Sequence, residues 1–261
     1  MISEMADLHS HLLPGVDDGS RTPEQSVGVL GAMLSENVTD ICLTPHLSVA
    51  ELVPDRLAAW IERHDKAYNE LMAVAPMRPR TYRGSEIMLD QPFPRDAVLT
   101  HRVSIAGSRY ALIEFPPGFS AQSIRALIKV VVEQGFVPLL AHVERYSVAT
   151  TDEVYLWRER GAAIQVDATT LAAGRGARTE RARAVIRTGL ADVIAADNHG
   201  DSRTLGPVSK YLHERDGIEQ AEYLLRINPQ AILKDQAIES VPPLRLARTG
   251  LRTWVDFLRR G

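Results

Sequence analysis

The chain has a single cysteine, Cys42, among 261 residues, which excludes an intramolecular disulfide and fits a reducing compartment. It lacks an apolar run long enough to span a bilayer, and its first residues lack the basic and apolar pattern of a signal peptide. The net charge of −3 offers no excess of positive charge for nucleic acid. We therefore expect a soluble, cytoplasmic protein that does not bind nucleic acid, with residues 1–261 forming one domain.

Signatures of covalent and nucleotide chemistry are also missing. Cys42 does not begin a Cys-x5-Arg loop, because Ser48 occupies the sixth position after it. The Gly-x-Ser-x-Gly elbow, the P-loop and the Gly-x-Gly-x-x-Gly fingerprint are absent as well. These absences leave metal-activated water as the chemistry with support in the sequence.

Short apolar segments alternate with longer amphipathic ones. The predicted strands cover residues 39–43, 80–87, 110–115, 137–141, 163–166 and 193–196. The predicted helices cover residues 23–36, 55–74, 120–134, 152–160 and 178–188. A glycine follows each of the last three helices, as is typical of helix ends. This alternation predicts a parallel α/β barrel or a doubly wound sheet.

The closing segment, residues 244–261, is basic and carries apolar residues at helical spacing. We expect a final helix that packs on the barrel. The alternative is a helix that lies on a membrane surface or docks on a partner, which would place the protein at the inner membrane face.

Histidines and acids recur where the predicted strands end. His9 and His11 are two residues apart, so on a strand they point to the same face and could reach one metal. Asp17 and Asp18 follow, and they fit either a ligand or an Asx turn before the first helix. His46 comes after Thr-Pro, where proline should end the strand and leave the histidine exposed at its mouth.

Acids and arginines extend the pattern. Glu86 and Glu114 are carboxylates in apolar surroundings, where burial requires a cation or an ion-pair partner. His142 follows the strand at 137–141, and Asp197 and His199 follow the strand at 193–196. Arg145 is a candidate clamp for phosphoryl oxygens, and Arg203 is a second candidate or a surface residue. His64, His101 and His213 lie outside the pattern and are expected to be structural.

Several segments resemble, in order, the motifs of the CpsB/CapC-type tyrosine-protein phosphatases, within the PHP (polymerase and histidinol phosphatase) superfamily. They are residues 7–19 (Asp-Leu-His-Ser-His-Leu-Leu-Pro-Gly-Val-Asp-Asp-Gly), 44–46 (Thr-Pro-His), 84–87 (Gly-Ser-Glu-Ile), 113–116 (Ile-Glu-Phe-Pro), 142–146 (His-Val-Glu-Arg-Tyr), 197–199 (Asp-Asn-His) and 228–233 (Asn-Pro-Gln-Ala-Ile-Leu). The resemblance spans residues 6–235. It implies a single-domain, distorted (β/α)7 TIM-like barrel.

The resemblance also implies two or three divalent metal ions, with Mn2+ as first choice and iron or zinc as alternatives. It assigns one metal to His9, His11, Glu86 and Asp197. Glu86 would bridge to a second metal held with Glu114 and His142, and a third would be held by Asp18, His46 and His199. Asp18 is favoured over Asp17 by its offset from His46. Arg145 matches the substrate arginine, while Asn198 and Val143 depart from the usual residues.

The activity implied is hydrolysis of phosphotyrosine on proteins in capsule or exopolysaccharide synthesis, with a membrane-associated tyrosine kinase as a possible partner. Arg145 and Arg203 would stabilise phosphoryl charge, and Asp197 is a candidate proton donor. Two alternatives stay open: a phosphatase for small metabolites, and a non-catalytic metal-binding partner of a membrane kinase. A PHP exonuclease is disfavoured by the acidic charge balance.

Overall fold

The computed structural model describes residues 2–91, 93–94 and 97–244, so the predicted closing helix falls almost entirely outside the described residues. The strands are β1 (Met5–Asp7), β2 (Val38–Leu43), β3 (His46–Ser48), β4 (Arg80–Arg83), β5 (Glu86–Met88), β6 (Tyr110–Glu114), β7 (Val137–Leu140), β8 (Ala163–Asp167) and β9 (Val193–Ala195). The helices are α1 (Pro23–Ser35), α2 (Pro54–Met72), α3 (Ala121–Glu133), α4 (Thr151–Glu159), α5 (Ala168–Ala172), α6 (Ala177–Arg187), α7 (Gly206–His213), α8 (Ile218–Glu222) and α9 (Asn228–Leu233).

All pairings between these strands are parallel. The strand order is β1-β2-β4 in one sheet and β3-β5-β6-β7-β8-β9 in the other. Two residues separate β2 from β3 and two separate β4 from β5, so each pair occupies one position in the barrel wall. The described chain therefore has seven strand positions in sequence order, and the predicted distorted barrel is confirmed.

The ring closes between β1 and β9 through few contacts. A parallel bridge joins Ser10 to Asn198, and the amide of His11 donates to the Asn198 carbonyl at 2.7 Å. The Asp7 carboxylate accepts a hydrogen bond from the Ala196 amide at 3.2 Å. A turn of π-helix, Tyr223–Ile227, packs against both β1 and β9. The π-helical turn therefore covers the position where β1 and β9 are joined by a single bridge outside the named strands.

Two local predictions need correction. The predicted strand at 80–87 is interrupted at Gly84, where an added side chain would lie 3.2 Å from Cys42 Sγ and 3.3 Å from Ile105 Cα. His46 follows the end of β2 as predicted, but it does not lie in a loop, because pairing resumes at His46 itself, opposite Glu86. The break covers Thr44 and Pro45 only, so His46 remains part of the barrel wall.

Helix starts follow the local sequence. The Thr22 hydroxyl accepts a hydrogen bond from the Gln25 amide at 3.3 Å, and Pro23 occupies the first helical position of α1. Ser120 and Thr150 cap α3 and α4 in the same way. The core around the strands is apolar, with Trp157 and Phe115 the largest fully buried side chains. Among the described residues, no helix combines the length and apolarity required of a membrane span.

Candidate metal centre

The nine residues predicted as metal ligands lie together at one mouth of the barrel. His9 and His11 follow β1, His142 follows β7, and Asp197 and His199 follow β9. The remaining four are on β3, β5, β6 and the loop between β1 and α1: His46, Glu86, Glu114 and Asp18. Parallel strands bring their carboxyl ends to one mouth, so residues far apart in sequence become neighbours.

Glu86 is at the centre of the cluster. One carboxylate oxygen lies 3.0 Å from His142 Nε2 and 3.3 Å from His9 Nε2. The other lies 3.0 Å from His46 Nδ1 and 3.4 Å from His11 Nε2. Each oxygen therefore faces two imidazoles, which is the geometry expected of a carboxylate that bridges cations.

The other donors form two flanks. On the buried side, Asp197 Oδ1 lies 3.2 Å from His9 Nε2 and 3.4 Å from His11 Nε2. On the open side, Asp18 Oδ1 lies 3.3 Å from His46 Nε2 and 3.5 Å from His199 Nε2. Glu114 Oε1 is 3.5 Å from His142 Nε2.

Four overlapping groups of donors have ligand atoms within 4.8 Å of one another. They are His11–Asp18–His46–His199, His9–His11–Glu86, His9–His142–Asp197 and His46–Glu86–Glu114. The groups share members, as expected of a site that holds more than one ion. They divide the donors differently from the family-based expectation, because His142 groups with Asp197 and Glu114 groups with His46.

Burial and charge make the inner half of this cluster unusual. His9, His11, Glu86 and Asp197 are buried, whereas the side chain of Asp18 is 69% exposed. Burial opposes ionisation of Glu86, yet the surrounding imidazoles hold its pKa well below the usual value. Burial likewise opposes charge on His11, but hydrogen bonds to Asp17 and the other carboxylates raise its pKa well above normal. The carboxylates thus require positive charge inside the barrel.

The donor chemistry fits divalent metal ions. Nε2 of His9 and Nε2 of His11 approach within 3.2 Å, with two carboxylates beside them. A shared proton can satisfy one such contact, but a cation accepts the lone pairs of both imidazoles and the charge of both acids. Mixed imidazole and carboxylate donors suit manganese, iron or zinc.

Neighbouring groups orient the ligands. Asp17 Oδ2 lies 2.8 Å from His11 Nδ1, and Asp17 Oδ1 accepts from the Gly19 amide at 3.0 Å. Asp17 therefore makes the Asx turn and also orients His11, a contact that the sequence pattern does not reveal, while Asp18 faces the cluster. Only glycine fits at position 19, because an added Cβ would lie 1.9 Å from the His11 carbonyl oxygen.

Two of the proposed metal ligands have a left-handed backbone conformation. His142 has φ of 31° and Asp197 has φ of 49°, and each lies two residues after the last residue of a strand, β7 for His142 and β9 for Asp197. Non-glycine residues rarely adopt this conformation, and it concentrates at functional sites. Both side chains face the cluster, with His142 Nε2 3.0 Å from Glu86 Oε1 and Asp197 Oδ1 3.2 Å from His9 Nε2.

Both predicted arginines are at the same carboxylate. Arg145, in a 3-10 turn after β7, donates from Nη2 to Asp197 Oδ2. Arg203 Nη1 lies 3.6 Å from the same oxygen. The Asn198 side chain folds the intervening loop, since its Nδ2 donates to the Arg203 carbonyl and its Oδ1 accepts from the Gly200 amide. Asn198 thus holds the loop that carries Arg203.

The remaining three histidines lie outside the cluster. His64 donates from Nδ1 to the Trp60 carbonyl at 2.6 Å and stacks on the Trp60 ring. His101 and His213 make similar contacts to nearby backbone carbonyls. All three serve local structure.

Comparison with known proteins identifies the family of this chain. The family model for capsular polysaccharide synthesis, CpsB/CapC, matches residues 5–234. The tyrosine-protein phosphatase YwqE of Bacillus subtilis is 25% identical over 252 residues, covering 95% of this chain and 98% of that protein. The tyrosine-protein phosphatase CpsB of Streptococcus pneumoniae is 27% identical over 247 residues, covering 90% of this chain and 100% of that protein.

A solved structure shares the fold. It comes from work on YwqE from Bacillus subtilis and CpsB from Streptococcus pneumoniae, described as unique metal-dependent tyrosine phosphatases. It matches with a TM-score of 0.70 at 23% identity, covering 94% of this chain and 100% of that one. Because the family model spans most of the chain, the protein belongs to the CpsB/CapC family of capsular polysaccharide synthesis.

Proposed function

We propose that this protein is a metal-dependent phosphatase that hydrolyses phosphotyrosine on proteins, in the cytoplasm and in the regulation of capsule or exopolysaccharide synthesis. One observation carries the proposal: nine imidazole and carboxylate donors converge at the barrel mouth, and Arg145 lies beside them. We propose that residues 1–261 act as one domain, and that a membrane-associated tyrosine kinase is a candidate substrate.

The proposed ligands are His9, His11, Asp18, His46, Glu86, Glu114, His142, Asp197 and His199. They would hold two or three divalent ions, for which Mn2+ is the first candidate and iron and zinc are compatible. When bound, such ions supply a Lewis acid for the phosphoryl oxygens and lower the pKa of water to about 7.

The chain's own residues would bind and orient the phosphate. The Arg145 guanidinium offers two parallel N–H groups that match two phosphoryl oxygens, and its partner Asp197 fixes its position. Arg203 approaches the same point and adds a second positive charge. Both charges favour the transition state, in which negative charge is spread over the three oxygens of the transferred phosphoryl group.

Departure of the tyrosine phenolate needs little help from a general acid. Burial opposes ionisation of Asp197, but His9, His11 and Arg145 hold its pKa below the ordinary value, so it stays a carboxylate. We therefore assign Asp197 to metal binding and to anchoring Arg145. A tyrosine phenolate, with a pKa near 10, can depart with a proton from solvent.

The open side of the cluster favours a protein substrate. The side chains of Asp18 and His46 are 69% and 38% exposed, so a tyrosine that projects from a partner's surface can reach the site. A metabolite phosphatase would gain most of its affinity by enclosing its substrate. This exposure favours phosphotyrosine on a protein over a small metabolite as the substrate.

The test is hydrolysis of a phosphotyrosine peptide by the purified protein with added Mn2+, beside a panel of phosphorylated metabolites. We expect turnover of the peptide that a chelator suppresses and Mn2+ restores. Faster turnover of a metabolite would support the metabolite reading. Metal binding without hydrolysis of any ester would support a non-catalytic role.

A further inference from the structure

Strand β8 provides none of the nine proposed ligands, yet it places a polar side chain against one of them. Gln165 is fully buried in β8 and reaches His9, which lies 156 positions away in sequence. Its amide oxygen is 3.3 Å and its amide nitrogen 3.0 Å from His9 Nδ1. The side chain therefore meets the outer nitrogen of His9, on the side away from Glu86.

The chemistry of imidazole decides what this contact can do. His9 Nε2 faces the cluster, 3.3 Å from Glu86 and 3.2 Å from Asp197. To bind a cation, Nε2 must keep its lone pair, so the ring proton must be on Nδ1. Only the orientation in which the Gln165 amide oxygen accepts that proton stabilises this tautomer. The reverse orientation would place the proton on Nε2 and block the ligand.

We propose that Gln165 is a positioning residue that fixes His9 in the tautomer and ring orientation needed to bind metal. The inference rests on the proposed metal centre and extends it to the strand that holds no ligand. Outer partners of ligating histidines are usually carboxylates, carbonyls or water, and their loss typically weakens metal affinity 10- to 100-fold. Asp17 makes the equivalent contact with His11 through a carboxylate, so the two inner histidines have outer partners of different charge.

A purely structural role would make different demands on position 165. If Gln165 only filled space, leucine would replace it as well as any polar residue. If it accepts the Nδ1 proton, glutamate must replace it better than leucine, because a carboxylate is the stronger acceptor. The comparison of Gln165→Leu with Gln165→Glu therefore separates packing from positioning.

The experiment measures the dissociation constant for Mn2+ by calorimetry on the full chain after metal removal, with thermal melting of each metal-free variant as a folding check. The control is Gln220→Leu, which removes a buried glutamine whose amide donates to backbone carbonyls of residues 242 and 243. If Gln165→Leu does not fold, Gln165→Met replaces it as an apolar side chain of similar length.

We expect the apolar variant to bind Mn2+ at least tenfold more weakly than the wild type, and Gln165→Glu and Gln220→Leu to stay within about threefold. Wild-type affinity in the apolar variant would overturn the inference, and so would equal weakening by leucine and glutamate. If the wild type itself binds no divalent metal, the proposed metal centre fails and the inference fails with it. A metal-binding wild type beside an unaffected Gln165→Leu defeats the inference alone.

Discussion

Replacement of Glu86 by glutamine is the most informative single change in the cluster. The substitution keeps the shape of the side chain, but it removes the charge and replaces one oxygen with an NH2 group. In the native chain, each oxygen faces two imidazoles at 3.0–3.4 Å. Glu86 also belongs to two of the four donor groups, so one substitution damages two candidate ion positions.

The expected loss of activity follows because Glu86 belongs to two of the donor groups. We predict that kcat/KM for a phosphotyrosine peptide falls at least 1,000-fold, which corresponds to about 4 kcal/mol of transition-state stabilisation. Glu114 belongs to one donor group and its side chain is 15% exposed. Glu114→Gln should therefore cost less, roughly 10- to 100-fold.

The assay combines steady-state kinetics with metal content by mass spectrometry, both at pH 7. Glu144→Gln is the matched control, since Glu144 is buried near the same mouth but belongs to none of the donor groups. Burial and the neighbouring Asp167 carboxylate raise the pKa of Glu144 to about 8, so at pH 7 this change removes little charge. A larger loss in Glu114→Gln than in Glu86→Gln, or full metal content in an inactive Glu86→Gln, would refute the reasoning.

Four further predictions concern Arg145, Arg203, Asn198 and the pH dependence of stability. Arg145→Ala should lower kcat/KM by roughly 100- to 1,000-fold. Arg145→Lys should recover less than tenfold of this loss, because an ammonium cannot make the bidentate hydrogen bonds of a guanidinium. Arg203→Ala should lower kcat/KM only about tenfold, since the Arg203 guanidinium also pairs with the exposed Asp201 carboxylate. Asn198→Ala should match Arg203→Ala, and the double variant should lose nothing more; additive losses would exclude a role through Arg203. Protonated Glu144 contributes stability that is complete below pH 4.5 and is lost as pH rises through about 8. In Glu144→Gln, the free energy of unfolding from denaturant titrations should therefore fall less over this pH range, by up to roughly 5 kcal/mol. An unchanged pH dependence would contradict the assignment.

Much of the barrel can be predicted from sequence, because buried parallel strands are short apolar runs between amphipathic helices. Strands β6, β7 and β9 each end within one residue of the prediction. The interruption at Gly84 could not be predicted, since it depends on close approach to Cys42 and Ile105. The π-helical turn at Tyr223–Ile227 could not be predicted either, since it packs against β1 and β9, which meet only in the folded barrel.

The candidate metal centre, like the fold, could be predicted from sequence only in part. Acids and histidines at strand ends are visible in sequence because the strand period and the parallel arrangement bring them to one mouth. The orienting contacts are harder to find, because Asp17 resembles a turn residue and Gln165 pairs with a residue 156 positions away. The available signal for Gln165 was a polar side chain inside the otherwise apolar run at 163–166. A polar group in such a run needs a partner inside the barrel.

The most direct test is an anomalous-scattering map from crystals grown with Mn2+. We predict two or three anomalous peaks at the barrel mouth, each roughly 2.0–2.4 Å from donor atoms of the proposed ligands, with Glu86 beside more than one. A map with no peak among His9, Glu86 and His199, from protein that is saturated with Mn2+ in solution, would contradict this prediction.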